Sequence, residues 1–137
     1  MIQKISTLAV LTACWIGAVS AEVAVIVHPS NQQAINETYL KNLFTGKQKS
    51  FPDGSPAIVL NLPEGDSQQS LFNEKALGKS NAQLKAYWSK VIFTGKGTPP
   101  KEVTAAEMLN LVATNPSTIG VIDVSQADKS VRILIQY

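Results

Sequence analysis

Three short polar stretches hold the side chains with which this chain could do chemistry. His28-Pro29-Ser30-Asn31 follows an apolar run. Gly65-Asp66-Ser67-Gln68-Gln69-Ser70 opens a helical pattern, and Ser117-Thr118-Ile119-Gly120 opens a further apolar run. Hydroxyls, amides and backbone N–H groups dominate all three. Groups of this kind can hold an oxyanion, because a helix start carries unpaired N–H donors and the positive end of the dipole. The competing role for Ser30, Asn31, Asp66 and Ser67 is plain capping, which the same residue types perform. Asp66 also disfavours an anion close by, unless that anion brings a proton for the carboxylate to accept. If the three loops face one crevice, they sit where open α/β sheets bind ligands.

Other chemistry is sparse. One Cys and one His cannot build a zinc site, a disulfide framework or a Cys/His pair. No GxSxG, HExxH, P-loop or GxGxxG pattern occurs. Glu64 and Asp66 are close in sequence, but nothing joins them for hydrolysis. The expectation is a non-enzyme with no cofactor and no metal. A net charge of +2 gives no reason to expect nucleic acid as a partner. His28 reads as a hydrogen-bonded or surface residue. Lys41, Lys47, Lys49, Lys96 and Lys101 read as a solvated surface.

The elements that would position these loops follow from hydrophobic period. Residues 22–28, 57–62, 118–124 and 131–137 are apolar and β-branched runs of strand length, and the first two read as buried strands. Residues 35–44 repeat apolar side chains at helical spacing, with Asn36 as N-cap. A second helix is expected from Ser67 to Leu77. Ser80 with Gln83, and Thr104 with Glu107, form capping boxes for two more. Leu84, Tyr87, Trp88, Val91 and Ile92 make the clearest stripe, so Trp88 is expected in the core. Phe44-Thr45-Gly46-Lys47 recurs as Phe93-Thr94-Gly95-Lys96, which reads as one C-cap chemistry used twice. The order predicts an α/β domain: a single, three-layer-like lobe with a mixed β-sheet flanked by helices.

The chain begins as an export signal does. Lys4 precedes an uncharged apolar run from Ile5 to Val19, and Val19-Ser20-Ala21 offers small residues for cleavage. The run is short for a membrane span. Residues 1–21 are therefore expected to be a signal peptide, and residues 22–137 the domain. Leu11-Thr12-Ala13-Cys14 also resembles a bacterial lipoprotein signal, which would instead lipidate Cys14. Removing 21 residues from 137 leaves 116, with no cysteine. That suits the bacterial periplasm, with stability drawn from the core.

The residues 23–31 (VAVIVHPSN), 40–54 (LKNLFTGKQKSFPDG), 71–80, 87–100 (YWSKVIFTGKGTPP) and 117–124 (STIGVIDV) resemble small periplasmic proteins related to the phosphate-binding proteins of ABC transporters. These belong to the type II periplasmic-binding-protein superfamily. The resemblance implies binding of a small anion such as phosphate, or another polar solute, and a membrane transporter or sensor as partner. Carried over by position, it points to Ser30, Asn31, Ser67, Gln68, Gln69, Ser70, Thr118 and Gly120 as ligand contacts. Two departures stand out. The length fits about one of the two lobes of such receptors. No arginine lies near the second loop, and Arg132, the only arginine, lies on the last expected strand. The other function this fold allows is a ligand-free interaction or sensor-accessory module.

Overall fold

The computed structural model describes residues 22–137. The expected leader, and Cys14 with it, lies outside them. Five strands form one mixed sheet. In chain order the elements are β1 (Val23–Val27), α1 (Glu37–Phe44), β2 (Ile58–Asn61), α2 (Ser67–Ala76), α3 (Asn81–Phe93), β3 (Lys101–Glu102), α4 (Ala105–Thr114), β4 (Thr118–Asp123) and β5 (Arg132–Gln136). A short 3-10 turn, Val124–Gln126, links β4 to the last connection.

The strand order across the sheet is β3-β2-β4-β1-β5. β2 runs parallel to β3 and to β4, and β1 runs antiparallel to β4 and β5. β1 and β4 lie inside the sheet, and every residue of β1 is buried. Such strands need apolar side chains on both faces, which explains the continuous run VAVIV. Side chains alternate along β4. Gly120 faces Met108 of α4, whereas Asp123 accepts a hydrogen bond from Gln68 of α2 at 3.0 Å. Helices therefore cover opposite faces, giving three layers around the core.

The helix starts form as the residue types require. Asn36 caps α1 by accepting the Tyr39 N–H at 2.8 Å. Both capping boxes close, with Ser80 and Gln83 at α3 and Thr104 and Glu107 at α4. Both FTGK turns are the same C-cap. Gly46 and Gly95 take φ of 76° and 67°. Lys47 N–H reaches Asn42 O at 2.9 Å, and Lys96 N–H reaches Val91 O at 3.1 Å. This six-to-one bond, with glycine in the left-handed region, is the Schellman arrangement.

Three expectations need correction. A fifth strand, β3, is present. Its two charged residues after Pro99-Pro100 carry no alternation from which a strand could be read. β2 is not buried throughout: Leu60 is buried and Ile58 is exposed. The α3 stripe is not core either. Leu84 is buried, Trp88 is half-buried, and Ile92 and Phe93 are exposed. α3 sits at the sheet margin, where only its first turns find cover. Tyr87 Oη donates to Thr45 O at 2.6 Å, and the Trp88 ring lies over Gly46.

Candidate functional site

The antiparallel direction of β1 decides where the three polar loops lie. Val27 pairs with Ile119, so the loop after β1 adjoins the start of β4. The loop after β2 lies near the other end of β4, where Gln68 meets Asp123. The six residues of β4 span about 16 Å at roughly 3.3 Å per residue. The loops therefore do not face one crevice. Ser30, Asn31 and Thr118 share one end, and Ser67 to Ser70 occupy the other.

At the first end the loop is folded by its own side chains. Ser30 N–H donates to His28 Nδ1 at 3.0 Å, and the Ser30 hydroxyl lies 2.7 Å from the same nitrogen. Asn31 Oδ1 accepts the Gln33 N–H at 3.2 Å. Asn31 is only 6% exposed, and its Nδ2 has no acceptor. Arg132 opens β5 directly beside Val27, and its Nη1 donates to Asn31 O at 2.8 Å. The only arginine of the chain therefore sits against the Ser30–Asn31 loop. Arg132 lies on the last strand as the sequence predicts, but the β1–β5 pairing that brings it to this loop is not visible in the residues. Thr118 is at this end too, but its hydroxyl donates to Asn115 O at 2.7 Å and closes the end of α4.

Gly120 belongs to neither loop. It is buried in β4, and a Cβ there would come within 2.2 Å of Met108 Sδ. Its place is set by the approach of α4.

At the second end the helix start is already occupied. Asp66 caps α2, its carboxylate accepting Gln68 N–H at 2.8 Å and Gln69 N–H at 3.3 Å. An internal anion thus holds the donors that an external one would need. Gln69 and Ser70 belong to a polar relay. Leu62 N–H donates to Gln69 Oε1, Gln69 Nε2 to Asn73 Oδ1, Asn73 Nδ2 to Asn81 Oδ1, and Asn81 Nδ2 to Ser70 Oγ, all at 2.8–3.0 Å. These bonds fasten α2 to β2 and α3. Ser67 alone of the four is exposed.

Beside this relay lies a cleft of about 440 Å³ between α2, α3 and the carboxyl ends of β2 and β3. Asn61, Gln69 and Ser70 line it, with Trp88 and Ile92 from α3. Asn61 Oδ1 is buried there without a partner. Among the described residues no three of His, Cys, Asp and Glu gather as a metal would need. No helix among them is long and apolar enough to cross a membrane.

A mixed open sheet with helices on both faces, in this strand order, defines a periplasmic-binding-protein-like α/β lobe. Solved structures that share this fold include proteins of phosphate transport. An ABC-type phosphate transport receptor from Vibrio cholerae aligns with a TM-score of 0.63 at 18% identity, over 83% of this chain and 46% of its own. A phosphate ABC transporter substrate-binding protein from Clostridium perfringens, solved with bound phosphate, gives 0.63 at 21% identity, over 83% and 45%. PstS from Borrelia burgdorferi gives 0.60 at 16% identity, over 83% and 47%. The likeness is one of fold, and the chain spans about half the length of these structures. These neighbours are receptors and substrate-binding proteins, not enzymes. No family model and no curated protein matches the chain.

Proposed function

We propose that this protein is an exported solute-binding domain that holds a small oxyanion at the loop after β1. The observation that carries this reading is the Arg132 guanidinium, 2.8 Å from Asn31 O. One N–H is used there, and the fork has further donors to offer. Ser30 supplies a hydroxyl that leaves His28 Nδ1 to donate, and the Asn31 amide, buried without an acceptor, adds a donor on turning toward the anion. Arginine forks suit planar and tetrahedral oxyanions, and charge-assisted bonds of this kind are the strong ones. Phosphate is the first candidate, since the structural neighbours are phosphate receptors. The protein is no enzyme in this reading: no nucleophile and base are brought together. It delivers its solute, or the news of it, to a membrane transporter or sensor. Residues 1–21 serve as its export signal.

Ser67 to Ser70 play no part in the anion seat, because Asp66 fills the α2 start. The test is calorimetric titration with inorganic phosphate and sulfate. Ser30→Ala is expected to weaken binding, and Ser67→Ala to leave it unchanged. Equal loss in both variants, or in neither, contradicts the assignment.

A second reading, a ligand-free interaction module, is favoured by one observation. Ile92 is 54% exposed and Phe93 is 93% exposed on the same helix. Apolar residues left in water so close together mark contact surfaces.

A further inference from the structure

We infer that the cleft under Trp88 is a second binding site, for an organic ammonium ion with an apolar body. It lies at the opposite end of β4 from the proposed anion seat and does not depend on that assignment. Its volume of about 440 Å³ falls within the range of small-molecule sites. One wall is apolar: Leu84, Trp88 and Ile92, from successive turns of α3. These are three of the five stripe residues whose periodicity predicts core packing, and in the fold they line a cleft.

The opposite wall is made of acceptors. Asn61 and Glu102 are register partners on the parallel strands β2 and β3, so their side chains emerge on one face. Glu64 joins them from the loop after β2. Asn61 Oδ1 is buried with no donor, and an unmet buried acceptor is costly. The wall thus offers two carboxylates, and turning the Asn61 side chain toward the cleft adds its unmet amide oxygen. Lys85, exposed on α3, is the one cation in the lining.

Charge complementarity selects the occupant. An anion would meet both carboxylates. A neutral apolar molecule would leave the acceptors unsatisfied. An ammonium group can pair with Glu64 and Glu102 and draw the Asn61 oxygen toward it, while its apolar body lies against Trp88. The indole face also attracts cations.

The full chain should be titrated at neutral pH with 2-phenylethylamine, 2-phenylethanol and phenylacetate. The amine is expected to bind at least about tenfold tighter than the alcohol, and phenylacetate more weakly than either. The double variant Glu64→Gln, Glu102→Gln changes only exposed side chains, so it should fold. It is expected to lose the amine preference, with amine affinity falling about tenfold. Saturating phosphate should not displace the amine. An alcohol that binds as well as the amine overturns the inference. So does tighter phenylacetate binding, an unaffected double variant, or no amine binding by folded protein.

Discussion

Phe44 and Phe93 end two helices in the same way, yet one is 2% exposed and the other 93%. Each is the last residue of a helix closed by Thr-Gly-Lys in a Schellman cap. Phe44 packs on Phe72 with ring centroids 4.7 Å apart, inside the layer that α1 and α2 lay over the sheet. Phe93 ends α3 at the sheet margin and meets no such layer. Removing a buried phenyl costs its transfer energy and leaves a cavity, so Phe44→Ala is expected to destabilise by about 3–5 kcal/mol. Phe93→Ala should stay within about 0.5 kcal/mol. Urea unfolding of both variants checks the contrast.

The FTGK echo illustrates how far the residues themselves could be read. The turn chemistry is local, and the C-cap expected from Gly-Lys forms twice. The capping boxes at Ser80 and Thr104, and the buried run of β1, are legible for the same reason. Burial of the α3 stripe is not local. It depends on whether another element covers that face, and cover runs out past Trp88, leaving Ile92 and Phe93 exposed. The site shows the same limit. Ser30 and Asn31 are visible as a polar loop, but β1 runs antiparallel to β4. That single reversal sends the loop after β1 and the loop after β2 to opposite ends. It also brings Arg132 to Asn31 across 101 residues of chain, a pairing no spacing could suggest.

Gly120 is a packing position. A methyl group there would lie 2.2 Å from Met108 Sδ and 3.2 Å from its Cε. Gly120→Ala should therefore push α4 outward or force Met108 to another rotamer, at a cost of about 1–3 kcal/mol. Pairing it with Met108→Ala should recover part of that loss in a double-mutant cycle. Additive losses would contradict the proposed contact.

The amide relay makes Gln69 structural. Gln69→Ala leaves the Leu62 N–H and Asn73 Oδ1 without partners in a buried site. The expected loss is about 1–3 kcal/mol. Hydrogen exchange should rise first at Leu62, whose N–H has lost its acceptor. Unchanged protection there would show that the relay does not hold β2.

Alkali should weaken the fold through Tyr137. Its ring packs edge-on to Phe72 at 6.1 Å, and its backbone pairs with Val23. Burial first, and the charge of Glu37 second, raise the phenol above its ordinary 10.0. A raised pKa here means that the folded state favours the neutral phenol. The resulting stability is complete below pH 10.0 and is lost as pH rises through the higher folded value. Melting temperatures followed into that range should fall less steeply for Tyr137→Phe than for the unaltered protein. Superimposable profiles would count against it.

The most direct measurement of the central claim is phosphate binding by the unaltered protein and by Arg132→Gln, with each shown to be folded by circular dichroism. Calorimetry should give a saturable isotherm for the unaltered protein. Loss of the guanidinium should weaken it by about tenfold or more. A folded protein that gives no heat with phosphate or sulfate would contradict the oxyanion seat, and so would an Arg132→Gln variant that binds as tightly as the unaltered chain.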